Sequence, residues 1–155
     1  MRIHIATQGD IPALLDVINS AFVVETFIEG KRTSPKQLRA LMRKGRFLVA
    51  KDDECAVLAS IYTEVRGERG YFGMLSVDPS RQGTGLGRVM VQAAEDSLRA
   101  SGCGHVDISV LSLRPELFPF YRKLGYAESG TAEFHSPLLL KPGFVCEQIT
   151  MSKQL

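Results

Sequence analysis

Gly83, Gly85 and Gly87 alternate with other residues in "RQGTGLGRV", immediately ahead of a run with helical periodicity. Glycines at such a place let backbone approach a ligand closely, because no Cβ atoms hold it off. The first helical turn offers unpaired N–H groups and the positive end of the macrodipole, so a phosphate is the natural guest. Two common phosphate loops do not fit. The dinucleotide fingerprint GxGxxG breaks at its last position, where Arg88 stands. Asp107, about 20 residues on as a ribose-binding acid would be, falls inside a strand and not at its end. A Walker loop needs GK[ST], which "GLGRV" lacks. The bland alternative is a strand–helix turn that binds nothing, at a cost in backbone entropy for each glycine.

A second group with chemical potential is Tyr121, in "RPELFPFYRKLGY". Periodicity alone places it on an apolar stripe with Leu117 and Leu124, which favours a packed aromatic. His4, His105 and His135 do not have the spacing of metal ligands, so no metal is expected. Cys55, Cys103 and Cys146 are odd in number and contain no CxxC. They read as reduced, buried thiols in a cytoplasmic protein.

Composition bounds the class. The 155 residues are 45% hydrophobic and suit one domain over 1–155 with a sizeable core. No run approaches the roughly 20 apolar residues that span a bilayer, and the first residues lack a secretory leader, so neither membrane nor export is expected. The net charge is +2, with the signs interspersed. The basic stretch Lys31 to Arg46 has no interleaved aromatics and reads as a solvated helix face, so no nucleic-acid partner is expected.

The elements that must position these groups follow from patterning. "RIHIAT" alternates as a strand. Asp10 and Pro12 open a helix with Ile11, Leu14, Leu15 and Ile18 on one face. Ser34-Pro35 open a second helix, with Leu38, Leu41 and Met42 inward, ending near Gly45. Two apolar runs around Asp52-Asp53-Glu54 predict a hairpin, and Tyr71 to Val77 a further strand stopped by Pro79. Leu86 starts a helix closed by Gly102. A strand over 105–112, a short helix with Pro115 in its first turn, and two closing strands joined by "HSPLLLKPG" complete the chain. The "PLLL" run reads as core, with a homodimer contact as the other use.

"QGTGLG", residues 82–87, fits the [QR]xxGx[GA] loop, "MLSVDP" resembles the strand before it, and "FYRKLGY" resembles a later tyrosine-bearing helix. Together with the element order, these resemble the GNAT (GCN5-related N-acetyltransferase) superfamily over essentially the whole chain. The resemblance implies an α/β (α+β) fold, a mixed, mostly antiparallel sheet of about seven strands flanked by about four helices. It implies that the N–H groups of Gln82, Gly83, Thr84, Gly85, Leu86 and Gly87 hold the pyrophosphate of acetyl-CoA, with Arg88 adding charge. The backbone of Leu75, Ser76 and Val77 would pair with the pantetheine arm and polarise the acetyl carbonyl. A bulge there would splay this strand from the next. Tyr121 matches the tyrosine that faces the coenzyme sulfur, where a phenol near pKa 10 can donate to a thiolate of about 8.5. Arg114 departs from the family: many members carry asparagine there, against the pantetheine. Arginine cannot accept a hydrogen bond, so it would instead reach a phosphate or a substrate carboxylate.

The strand "YFGMLSV" holds no carboxylate, leaving Glu64, Glu25, Glu29 or a water chain as the general base. The resemblance puts the acceptor between the first two helices and the last strand pair, with Glu25, Glu29, Arg32, Glu133 and His135 as polar groups. Phe22, Phe27 and Phe134 there would form a wall or pack in the core. The activity implied is acetyl transfer to a primary amine of a small polar acceptor by direct attack. A non-catalytic coenzyme A-binding module and a protein N-acetyltransferase are the alternatives.

Overall fold

The computed structural model describes residues 1–133 and 139–155. Phe134, His135 and the first residues of the "PLLL" run lie outside the described residues. Strand β1 (Arg2–Ile5) leads through a 3-10 turn into helix α1 (Ile11–Ala21), and a second 3-10 turn (Phe22–Val24) leads to the short strand β2 (Ile28–Glu29). Helix α2 (Pro35–Lys44) precedes three strands, β3 (Arg46–Lys51), β4 (Val57–Arg66) and β5 (Arg69–Val77). After the glycine loop come α3 (Leu86–Ala100), β6 (His105–Leu111), α4 (Leu117–Lys123), β7 (Ala127–Glu133), β8 (Leu139–Leu140) and β9 (Glu147–Gln154).

Seven strands form one sheet in the order β1-β3-β4-β5-β6-β9-β7. Every neighbouring pair is antiparallel except β5 and β6, which run parallel. That is the expected sheet and helix number. The ribbon β2–β8, pairing Ile28 with Leu140 and Glu29 with Leu139, was not expected, because two-residue strands carry no readable alternation.

Local chemistry sets the element ends. Ser34 Oγ accepts from the Gln37 N–H at 3.3 Å and Pro35 fixes the first helical φ, so α2 starts where expected. Asp10 precedes α1 but does not cap it: its Oδ2 accepts from the Thr7 N–H at 2.8 Å, and its Oδ1 takes Lys51 at 2.7 Å. Asp52 Oδ1 accepts from the N–H groups of Glu54 and Ala56, both at 2.9 Å, closing the β3–β4 hairpin. Gly102, at φ +91°, follows the end of α3, and the Cys103 N–H donates to Leu98 O at 3.0 Å. Pro115 lies ahead of α4, not in its first turn.

Alternation along the strands divides the interior in two. Phe47, Val49 and Tyr62 face α1 and α2, where Leu14, Ile18 and Leu38 are fully buried. Leu48, Ala50, Ile61 and Phe72 face α3 and α4 with Met90, Ala94, Leu98 and Tyr121. A full burial of this kind contributes about 1.5–3 kcal/mol per large side chain. Under the ribbon, Phe27 and Ile28 pack with Leu111, Leu113 and Leu140, so Phe27 serves the core, whereas Leu139 is exposed. Cys103 and Cys146 are buried as expected, but Cys55 is exposed, carried out on the hairpin turn at φ +66°.

Candidate active site

One irregularity in β5 creates the site. Ser60 pairs with Ser76 but Tyr62 pairs with Gly73, so β5 has one extra residue against β4. Met74 takes it up at φ +53°, a left-handed conformation costing a non-glycine residue about 1–3 kcal/mol. Ser76 Oγ donates to Met74 O at 3.0 Å and braces the bulge. The alternation slips by one: Tyr71 and Met74 face the α1/α2 side, whereas Phe72, Leu75 and Val77 face α3 and α4.

From Phe72 on, at the approach to the bulge, β5 and β6 part. They pair only at Arg69–His105, Gly70–Val106 and Tyr71–Asp107, while β6 stays paired with β9 as far as Leu111. The gap is a cleft of about 530 Å³ lined by both strands, the glycine loop, α4 and the chain after α1. It opens to both faces of the sheet, since its lining includes Tyr71, Phe22 and Arg32 from one side and Phe72, Leu117 and Tyr121 from the other.

The glycine loop closes one end. Gly83 and Gly85 lie at φ +79° and +84°, and a Cβ on either would meet nothing within 4 Å, so these glycines serve conformation and not close packing in this structure. Gly85 is the N-cap of α3, and no side chain caps that helix. The first-turn N–H groups are left without side-chain acceptors, and the residues that carry them, Leu86, Gly87 and Arg88, line the cleft. Gln82, Gly83, Gly85, Leu86, Gly87 and Arg88 all line the cleft, as does Arg81. Thr84 does not: it is exposed and its hydroxyl donates to Arg81 O at 2.5 Å, tightening the loop. Of the strand before the loop, Leu75 and Val77 line the cleft, while the Ser76 side chain is buried in the bulge.

Tyr121 reaches the cleft from α4. Its ring packs against Phe72, Phe120 and Tyr126 at centroid distances of 6.1, 5.0 and 5.9 Å. Among the described residues its hydroxyl has no hydrogen-bond partner. Burial, and then the nearness of Tyr71, push the phenol above its ordinary pKa, with Arg114 pulling the other way. The group therefore stays protonated through the neutral range.

At the other end, Glu25 and Arg114 meet although 89 residues apart: Arg114 Nη1 donates to Glu25 Oε2 at 2.7 Å and Arg114 Nε to Glu116 Oε1 at 2.5 Å. Burial works against the Arg114 charge, but Glu116 and Glu25 hold its pKa above the ordinary value. Arg32 lines the same end, its guanidinium 5.1 Å from the centroid of the Phe22 ring. Glu29 is exposed on β2 and does not line the cleft. Glu64 also lies outside it, accepting from Tyr62 at 2.8 Å and paired with Arg66. Glu133 ends β7 opposite Glu147.

Tyr71 is a cleft residue that sequence reading missed. Its ring lies under Arg66 at 4.1 Å, and its hydroxyl occupies the space a Cβ on Gly73 would need. A tyrosine two residues before a glycine was the available hint. Among the described residues no group of three His, Cys, Asp or Glu side chains could hold a metal ion. Among the described residues no helix is long and apolar enough to cross a membrane.

A parallel pair splayed by a bulge, opening beside a glycine-capped helix, belongs to a class whose family model matches: the acetyltransferase (GNAT) domain, over residues 15–137. The chain belongs to that family. It is 29% identical over 82 residues to the streptothricin acetyltransferase of Streptomyces lavendulae, covering 53% of this chain and 43% of that one. The chain spans less than half the length of the curated relatives it matches. A Streptococcus mutans crystal structure superposes with TM-score 0.83 at 22% identity over 99% of both chains. A Sinorhizobium meliloti GNAT phosphinothricin acetyltransferase in complex with AcCoA superposes with TM-score 0.77 at 16% identity, over 99% of this chain and 88% of that one. These structural likenesses carry the fold.

Proposed function

We propose that the protein transfers an acetyl group from acetyl-CoA to the primary amine of a small polar acceptor, by direct attack within the cleft. The observation that carries this reading is the gap between β5 and β6, with bare helix N–H groups at one end and a protonated phenol facing it. Acetyl-CoA supplies a thioester, whose carbon–sulfur bond breaks as the carbon–nitrogen bond forms.

The residues present fit that guest. The N–H groups around Gly83 to Gly87 take the diphosphate, with Arg88 and Arg81 adding charge at the rim. Leu75, Val77, Leu117 and Phe120 give the apolar walls a pantetheine arm needs. The inner edges of β5 and β6 beyond their last pair offer main-chain groups to the amides of the arm and to the acetyl oxygen. Tyr121 donates its hydroxyl hydrogen to the departing sulfur; its raised pKa weights this toward a hydrogen bond that stabilises the thiolate. Glu25 is the carboxylate in the cleft from the three weighed as base, and it takes the proton the amine gives up. That proton then balances the thiolate, so coenzyme A leaves as the thiol. Arg114 serves the acceptor end by holding Glu25 and does not replace the pantetheine contact. The buried thiols of Cys103 and Cys146 suit a reducing, cytoplasmic setting.

The deciding experiment is Tyr121→Phe. The ring packing is kept and only the hydroxyl is lost, so kcat is expected to fall by about 10- to 10⁴-fold. Acetyl-CoA affinity, measured by calorimetry, should hardly change. Equal turnover by the variant would remove Tyr121 from the reaction.

A further inference from the structure

Two charged side chains at the acceptor end are incompletely matched. Glu25 is 7% exposed, and its two oxygens differ: Oε2 is bound by Arg114, whereas Oε1 is buried with no hydrogen-bond partner among the described residues. A buried carboxylate oxygen without a donor is unfavourable and is rare in folded proteins. Arg32 is the converse. It feels Glu25 and Tyr71 electrostatically, and burial pushes its guanidinium below the ordinary value. Yet among the described residues it makes no hydrogen bond or ion pair, and its guanidinium lies over the Phe22 ring, 5.1 Å from the centroid. Among the described residues none of the five donors of that fork is engaged, and together they suit an anion.

The geometry assigns this end of the cleft to a zwitterion: the acceptor is a free amino acid, its amine taken by Glu25 and its carboxylate by Arg32. This rests on the acyl-transfer reading and names the substrate class that reading leaves open. Three features argue for it. At this end of the cleft Arg114 is already matched by Glu25 and Glu116, whereas Arg32 makes no hydrogen bond or ion pair among the described residues, which leaves room for one anionic group. Arg32 is planar and pinned over Phe22, so it offers a carboxylate two parallel N–H bonds in a fixed orientation, which a lysine could not. Tyr71, lodged against Gly73 at the point where β5 and β6 part, lines the cleft with this pair and acts electrostatically on Arg32, which places the pair beside the opening of the sheet. A simple amine would satisfy Glu25 and leave Arg32 unmatched.

The test measures N-acetylated product by mass spectrometry, with acetyl-CoA and three sets of acceptors: the free L-amino acids, their α-carboxamides, and the corresponding decarboxylated amines. Acetyl-CoA binding is measured separately by calorimetry. The expected result is a KM at least ten-fold lower for an amino acid than for its amide or amine. In Arg32→Gln that preference collapses to within about three-fold, and Arg32→Lys recovers part of it, while acetyl-CoA affinity stays the same in all three proteins. Equal KM for acid and amide, or a preference for the amines, overturns the assignment. So does acetyl-CoA binding with no amino acid acetylated, an outcome that leaves acyl transfer standing. If acetyl-CoA itself fails to bind, the acyl-transfer reading falls. Calorimetric binding of amino acids to the native protein but not to Arg32→Gln then decides the zwitterion site alone.

Discussion

Gly85 and Gly73 illustrate two different demands on a single residue. Gly85 needs a left-handed backbone and has open space around it, so Gly85→Ala is strained without clashing. The variant is expected to lose about 1 kcal/mol of stability in urea unfolding. It should also bind acetyl-CoA several-fold more weakly, because the cap that aims the first N–H groups of α3 is disturbed. Gly73 instead makes room for a tyrosine ring. The first demand was legible, since alternating glycines before a helical stripe have few other uses. The second was not, because a glycine in a strand does not say which neighbour approaches it. The pairing of Glu25 with Arg114 was hidden for a related reason: both residues were noticed, but a contact across 89 positions is set by the fold and not by spacing.

The helices and strands hold the site through contacts of their own. Glu95 on α3 is 3% exposed and accepts from Tyr126 Oη at 2.6 Å and from Lys153 Nζ at 3.0 Å, tying the helix to β9 and to the residue before β7. Glu95→Ala strands both partners and is expected to cost about 3 kcal/mol, read from the urea midpoint. Glu95→Gln, which can still accept from Tyr126, should cost less. Element order was readable because stripes at three- and four-residue steps and Ser-Pro or Gly boundaries are local properties. The bulge at Met74 was anticipated only through family resemblance. The β2–β8 ribbon escaped because its strands are shorter than any period that could reveal them.

Across the whole molecule, several carboxylates are held below their ordinary pKa by hydrogen-bonded cations. Arg69 does this for Asp107, with bonds of 2.7 Å, and Lys51 for Asp10. A lowered folded-state pKa means that the unfolded chain binds the proton more readily. Such pairs therefore stabilise the fold above the ordinary carboxylate range and stop doing so as pH falls through the lowered values. Unfolding midpoints in urea should be flat from neutrality to about pH 4.5 and decline below it, since unperturbed carboxylates titrate near 4. Asp107→Asn should flatten part of that decline, and added salt should shrink the difference, because the pair is accessible to solvent.

The parting of β5 from β6 has a mechanical corollary. Within the seven-stranded sheet only three residue pairs join β5, the last strand before the glycine loop, to β6, the first after it, so that sheet is nearly two leaves sharing a short spine. A guest wedged into the opening grips both leaves at once and acts as a removable keystone. Filling the cleft and stiffening the architecture around it are then one event.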